Sequence, residues 1–195
     1  MKIKVSAIQH ACGPEIEDNL ETVERMIRKA AAAGANIVLP QELFAYQFFG
    51  NMNCDPKYFA LADTIEHSPI IARMRELALE FGIVIPANFF ERAGQAYFNT
   101  NVIIDADGTD AGIYRKMHMP MGSPSCYEKY YFSPGNTGFE PVDTAFGRLG
   151  CAVCWDQWFP ETARIMALKG ADALFYPTCI GSDCEVHWRT AMRGH

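Results

Sequence analysis

Cys154 is the residue whose type and setting most clearly indicate chemistry. It stands where the apolar stretch 149–153, predicted to be a strand, runs into Trp155-Asp156-Gln157-Trp158-Phe159-Pro160-Glu161, predicted to begin a helix. A sharp turn between a strand and a helix exposes the nucleophile of many hydrolases and leaves backbone N–H groups free to bind an oxyanion. Cys154 is therefore predicted to be a nucleophile, although a buried cysteine that acts as a small hydrophobic residue is the commoner case.

The cysteines also raise the alternative of a thiol-rich metal site. Cys151-Ala152-Val153-Cys154 matches the Cys-x-x-Cys pattern of zinc ligands, and Cys179 and Cys184 follow. Residues three apart on a strand point to opposite faces and cannot bind one ion, so no metal is expected. Because the chain has seven cysteines, a full set of disulfides would leave one thiol over, and free thiols are expected.

Two charged residues follow predicted strands. Glu42 comes after Pro40, which ends a strand predicted at 36–39, and Lys116 ends a strand predicted at 112–116. Charged side chains at such positions are ordinarily solvated. Open α/β sheets nevertheless place their chemistry at the carboxyl ends of strands, where such residues can converge. The residues alone leave both interpretations open.

An α/β framework is predicted to position these residues. The first half contains apolar segments with strand or helix periodicity. They are a buried strand at 3–9, a helix from Ile16 to Gly34, a strand at 36–39, a helix at 69–81 and a strand at 82–88. Antiparallel pairing is predicted next, between 89–91 and 97–104 across the connection 92–95.

The second half is predicted to begin with a long ordered loop, because residues 117–138 show no period. The elements expected after it are strands at 139–142 and 147–153, a helix at about 159–168, a strand at 172–176 and a helix from near Cys184. There is no low-complexity segment or flexible linker, so residues 1–195 are predicted to form a single domain.

Two segments of the chain resemble each other. Residues 33–40 and 169–177 each combine a helix end, a glycine, an apolar strand and a proline. Glycine commonly ends helices, so shared local chemistry explains the likeness as well as internal pseudosymmetry does.

Composition excludes some classes of function. The 195 residues carry a net charge of -6, which argues against a nucleic-acid partner, and 49% hydrophobic residues suffice for a sizeable core. The first residues turn polar before a signal peptide could form, and no apolar run reaches membrane-spanning length. We therefore expect a cytoplasmic protein with no membrane partner.

Three motifs together resemble the nitrilase superfamily of carbon–nitrogen hydrolases. They are Leu39-Pro40-Gln41-Glu42, Tyr114-Arg115-Lys116-Met117-His118 and the segment from Cys154 to Glu161. The resemblance covers essentially the whole chain and implies a four-layer α-β-β-α sandwich, a small-molecule amide or carbamoyl amine substrate, a homo-oligomer and no cofactor. Family members continue well beyond residue 195, so the chain is expected to lack the C-terminal part of the domain.

The resemblance also implies roles for individual residues. Cys154 would be the nucleophile, Glu42 the general base, and Lys116, together with the backbone N–H of Trp155, would bind the oxyanion. Glu128 matches a second family glutamate that orients the site and contacts substrate. An exposed loop carboxylate is the other interpretation of Glu128.

The substrate is the least determined property. Residues such as 175–178, 180–182 and 187–188 resemble the branch that hydrolyses N-carbamoylputrescine to putrescine, carbon dioxide and ammonia. Alternatives are another carbamoyl amine, an ω-amide, a nitrile, or a remnant without activity. A cationic substrate tail requires a carboxylate or aromatic partner, for which Tyr46, Glu128 and Asp156 are candidates. Asp156 is also suited to cap the following helix, the simpler interpretation.

Overall fold

The computed structural model describes residues 2–122 and 126–195. The α-helices are α1 (Ile16–Ala32), α2 (Pro69–Phe81), α3 (Glu128–Tyr131), α4 (Pro160–Leu168) and α5 (Glu185–Gly194). The strands are β1 (Val5–Ala7), β2 (Ile37–Leu39), β3 (Ile85–Ala93), β4 (Ala96–Ile104), β5 (Asp110–Arg115), β6 (Met121–Gly122), β7 (Cys126–Tyr127), β8 (Val142–Thr144), β9 (Gly147–Cys151) and β10 (Ala173–Phe175). No helix in these two ranges is long and apolar enough to cross a membrane.

Two β-α-β units frame the molecule. In the first, β1 and β2 pair in parallel and α1 connects them. In the second, β9 and β10 pair in parallel and α4 connects them. Each helix is followed by a glycine at positive φ, Gly34 at 83° and Gly170 at 86°, a conformation that residues with a side chain rarely adopt.

An antiparallel sheet lies between the two units in sequence. β4 pairs with β3 from Ala96 to Ile104 and with β5 on its other side, so it is the central strand. A parallel bridge from Ile37 to Val84 joins the first unit to the chain just before β3. The end of β5 at Arg115 pairs with Thr100, which in turn pairs with Phe89 in the middle of β3.

The buried clusters define the layers. Side chains of α1 and α2 pack with one face of β3 and β4. A second cluster joins the two sheets, with Ile37 and Ile103 packed against Leu149 and Phe175. In a third, Met166 of α4 packs beside Val153. The order helix, sheet, sheet, helix agrees with the predicted α-β-β-α sandwich.

Four details of the predicted elements are wrong. The strand predicted at 139–142 occurs later in the chain, as β8 at Val142–Thr144. β3 is one continuous strand, because all its residues from Ile85 to Ala93 find partners on β4. The stretch 117–138 is not a plain loop, since it contains the β6–β7 pair and α3; residues 123–125 lie outside the described residues. The first strand is shorter than 3–9 and not buried, because Val5 is 49% exposed.

Candidate active site

Cys154 occupies a strained turn at the end of the second unit's first strand. Ala152 and Val153 follow β9, and Cys154 then begins a 3₁₀ helix, Cys154–Trp158. Its φ of 44° is uncommon for a residue with a side chain. Its N–H donates to the carbonyl of Pro177 at 3.0 Å, which holds the turn against the chain after β10. Cys154 therefore lies at the predicted strand-to-helix junction.

Glu42 is buried just beyond β2. The next residue, Leu43, also has a positive φ, 50°, and its N–H donates to Asn88 Oδ1 at 2.8 Å. Glu42 Oε1 accepts from Asn99 Nδ2 at 2.8 Å, and Oε2 accepts from the N–H of Cys179 at 3.0 Å. Each carboxylate oxygen is thus held by a donor from a distant segment of the chain.

Lys116 follows β5 and lies between two glutamates. Its Nζ is 2.7 Å from Glu42 Oε1 and 2.6 Å from Glu128 Oε2, and its side chain is 0% exposed. Burial alone lowers the pKa of Lys116, but the two carboxylates outweigh this and hold it well above its usual value. The lysine is accordingly a cation at neutral pH.

Burial has the opposite effect on Glu128 and Cys154, whose pKa values it raises. It raises the pKa of Glu128 to about 7, against the opposing effect of Lys116. It also raises the pKa of the Cys154 thiol well above its usual value; Glu42 adds to this and Lys116 opposes it. Because the resting thiol keeps its proton, an attack by sulfur requires a base.

The backbone of Cys179 contacts both Glu42 and Cys154. Its N–H donates to Glu42 Oε2, and its carbonyl accepts from Cys154 Sγ at 3.6 Å. The same peptide segment thereby holds both groups that a proton transfer would involve.

A cavity of about 680 Å³ reaches Glu128, Cys154 and Cys179, whereas Glu42 and Lys116 lie behind its lining residues. Its walls are formed by apolar, sulfur-containing and small polar residues together with Glu128. The lining residues are Phe48, Asn51, Pro120, Met121, Gly122, Cys126, Glu128, Cys154, Trp155, Cys179, Ile180, Gly181 and Cys184. The cavity is large enough for a small linear substrate.

The remaining candidates occupy different environments. Trp155 lines the cavity, and its N–H lies in the first turn of a 3₁₀ helix, where backbone donors have no partner within the helix. Tyr46 is buried in the aromatic core against Phe49 and is not among the residues that line the cavity. Asp156 is also buried and outside the lining, and the N-cap of α4 is Phe159.

Sequence reasoning missed the amides that hold Glu42. Asn88 Nδ2 donates to Asn99 Oδ1 at 2.8 Å, and Asn99 in turn donates to Glu42. Both asparagines are buried within the strands β3 and β4. A polar residue inside a predicted buried strand was the available signal, because a buried amide needs hydrogen-bond partners.

The cysteines are free, and Cys151 and Cys154 belong to separate hydrophobic clusters. Within residues 2–122 and 126–195, no group of three or more His, Cys, Asp or Glu side chains is arranged to hold a metal ion.

Residues 4–195 match the carbon-nitrogen hydrolase family. The chain belongs to this family. It is 50% identical over 201 residues to an N-carbamoylputrescine amidase of Arabidopsis thaliana, covering 100% of this chain and 67% of that protein. It is 48% identical over 200 residues to a citrullinase of Francisella tularensis, covering 99% and 69%.

A solved structure of a carbon-nitrogen hydrolase has a similar fold. The crystal structure of a carbon-nitrogen hydrolase from Helicobacter pylori G27 superposes with a TM-score of 0.92 at 40% identity, covering 99% of this chain and 69% of that one. The chain thus spans about two thirds of the length of these relatives. The predicted nitrilase-like fold and superfamily are confirmed, as is a hydrolase of carbon–nitrogen bonds other than peptide bonds.

Proposed function

We propose that this family member is an amidohydrolase that converts N-carbamoylputrescine to putrescine, carbon dioxide and ammonia, a step of polyamine biosynthesis. The observation that carries the proposal is the buried cluster in which Lys116 lies between Glu42 and Glu128, at the wall of a cavity that also exposes Cys154. The identity to N-carbamoylputrescine amidases supports the choice of substrate.

Glu42 is the proposed general base. The protonated thiol of Cys154 transfers its proton to the Glu42 carboxylate, and the thiolate attacks the carbonyl carbon of the ureido group. Asn99 and the N–H of Cys179 hold the carboxylate in place for this transfer.

Lys116 and the N–H of Trp155 are proposed to stabilise the oxyanion that this attack creates. A cation without contact to water acts more strongly on a developing charge than the same cation in solvent. Glu128 fixes the ammonium group of Lys116 from the side opposite Glu42. Its place in the cavity wall also allows the substrate contact expected from the sequence.

The tetrahedral intermediate then expels ammonia, which receives the proton held by Glu42. A thiocarbamate on Cys154, a thioester-type intermediate, remains. Glu42 next takes a proton from water, the hydroxide attacks the thiocarbamate, and the Cys154 thiolate that leaves recovers the proton from Glu42. The resulting carbamic acid decomposes to carbon dioxide and putrescine.

Citrulline is the second candidate substrate, because a citrullinase is 48% identical to the chain. Citrulline carries a carboxylate next to its amine, and a protein normally binds a carboxylate with Arg or Lys. The lining residues that the structure describes include no Arg, Lys or His, and their one carboxylate is Glu128. The charge of the cavity therefore favours a substrate that ends in an amine alone.

Ammonia release from a panel of substrates tests the proposal. The panel contains N-carbamoylputrescine, citrulline, a linear ω-amide and a nitrile, and we expect the highest kcat/KM for N-carbamoylputrescine. Cys154→Ala should lower kcat by about 10⁴-fold or more, since it removes the nucleophile. Cys54→Ala, which changes an exposed cysteine, is the control and should retain full activity. A higher kcat/KM with citrulline would assign the other substrate.

The absence of activity with the whole panel would favour a remnant without catalysis. Alkylation separates a remnant from an enzyme of unknown substrate. A competent site should make Cys154 react faster than Cys12 at neutral pH despite the raised pKa of its thiol, because Glu42 is placed to take the proton as the sulfur attacks. Equal rates for the two cysteines would contradict the proposed mechanism.

A further inference from the structure

Asp156 is completely buried and binds two separate segments of the chain. Its Oδ2 accepts from the N–H of Val153 at 3.0 Å and from the hydroxyl of Tyr114 at 2.9 Å. Its Oδ1 accepts from the N–H of His118 at 2.9 Å and lies 2.7 Å from His118 Nδ1. All these partners are donors from the protein itself, so the carboxylate has no free side for a substrate.

The partners of Asp156 flank two of the proposed catalytic residues. Tyr114 and His118 lie two residues before and two residues after Lys116, and Val153 directly precedes Cys154. One carboxylate therefore connects the segment that carries the cation to the turn that carries the thiol. The ring of His118 also stacks on the ring of Phe159, with 3.8 Å between centroids. This gives the Lys116 segment a further contact with the chain that follows Cys154.

We propose that Asp156 is a positioning residue that sets the distance between Cys154 and Lys116. The proposal rests on the function proposed above, since it acts through those two residues. Cys154 holds a φ of 44°, a conformation that persists only where its surroundings enforce it. The bond from the N–H of Val153 is the contact of Asp156 with that turn.

Asp156→Asn is the decisive substitution, because it preserves shape and removes an acceptor. Each carboxylate oxygen faces a backbone N–H, from Val153 on one side and from His118 on the other. Whichever way the amide of the asparagine turns, its NH₂ group meets a backbone donor. One of the two segments must move away, and we expect the turn at Cys154 to separate from Lys116.

The rate of alkylation of Cys154 by iodoacetamide, followed by mass spectrometry, gives the direct test. Lys116 lowers the pKa of Cys154. Separation of the two should therefore slow alkylation in Asp156→Asn by about tenfold, the effect of one pKa unit on the thiolate population. If Asp156 acted only by its negative charge, removal of that charge would favour the thiolate of Cys154 and alkylation would be faster. If it only maintained the fold, Cys154 would become exposed and alkylation would also be faster.

The control is Asp105→Asn, which changes another carboxylate that binds backbone N–H groups. Asp105 Oδ1 accepts from Ala106 at 2.7 Å and from Ala145 at 2.9 Å, and it does not line the cavity. We expect its alkylation rate to equal that of the unchanged chain. Circular dichroism of both variants verifies that they are folded.

Steady-state kinetics supply the second readout. We expect kcat to fall by about 100-fold in Asp156→Asn while KM changes by less than about threefold, because the displaced turn carries the reacting groups and the cavity walls at Phe48 and Pro120 lie outside it. Unchanged or faster alkylation would overturn the proposal. Alkylation requires no substrate, so an error in the proposed substrate leaves this result interpretable.

Discussion

The two β-α-β units use the same local chemistry in different surroundings. In each, the residue after the helix-ending glycine donates its N–H to a carbonyl five residues earlier, from Ala35 to Ala30 in the first unit and from Ala171 to Met166 in the second. This bond is part of a common way of ending a helix. The likeness seen in the sequence between 33–40 and 169–177 is therefore a likeness of backbone structure.

The units differ in how much the rest of the chain covers them. β2 has β1 on one side and a bridge to Val84 on the other, whereas β10 pairs with β9 alone within the described residues. Helix α1 buries Leu20, Val23 and Ile27, while Leu168 at the end of α4 is 81% exposed. Local sequence thus determines how helix and strand join, and neighbouring elements determine what is buried.

The units also contribute different groups to the site. The first supplies the Glu42 side chain after its second strand. The second supplies the Cys154 side chain after its first strand, but only the backbone of Cys179 after its second. The bond between Glu42 and Cys179 joins the two units at the site, in addition to the packing of Ile37 against Leu149 and Phe175.

The largest expected effect on kcat distinguishes the side chain of Glu42 from the side chain of Cys179, a residue whose backbone contacts Glu42 and Cys154. Glu42→Gln should lower kcat by about 10³-fold, because an amide cannot accept the thiol proton. Cys179→Ala keeps the N–H and the carbonyl that contact Glu42 and Cys154, so kcat should change by less than about threefold. Both values come from steady-state ammonia release. Similar losses in the two variants would show that the Cys179 side chain also takes part.

A smaller effect concerns burial. Ile27→Ala should lower the free energy of unfolding by about 2–5 kcal/mol, because Ile27 is 0% exposed and leaves a cavity. Leu168→Ala removes an exposed side chain and should change it by less than about 0.5 kcal/mol. Urea unfolding followed by circular dichroism measures both. If Leu168→Ala lowered the free energy of unfolding as much as Ile27→Ala, another surface would have to cover α4 in solution.

The smallest effect on stability is expected from the helix-ending glycine that the two units share. Gly34→Ala and Gly170→Ala each place a side chain at positive φ, and an added Cβ meets no atom closer than 3.9 Å at either position. Backbone strain alone should therefore destabilise both by about 1–2 kcal/mol. Urea unfolding should give equal values within experimental error, with kcat unchanged. A clear difference between them would show that the two turns are not equivalent.

The sequence predicted those features that depend on neighbours along the chain. The strand, turn and helix around Cys154 follow from apolar periodicity and Pro160, and the glycine-ended helices follow from Gly34 and Gly170. Glu42 and Lys116 were not distinguishable from solvated charges by local pattern, and the family resemblance identified them. Their burial arises because β2 and β5 bring distant segments together.

Long-range contacts account for what the sequence did not predict. The continuity of β3 depends on its pairing with β4, and the short elements around Glu128 lack a period that could indicate them. The environment of Asp156 could not be predicted either, because its partners Tyr114 and His118 are about forty residues away in the chain, at separations of 42 and 38.

The contacts of Cys179 have a consequence for how the cavity can change in evolution. Glu42 and Cys154, the proposed base and nucleophile, are both bound by main-chain atoms, the N–H and the carbonyl of one residue. Every amino acid except proline supplies both groups. Position 179 lines the cavity, so a change of its side chain can alter the shape of the substrate site while both main-chain contacts are kept.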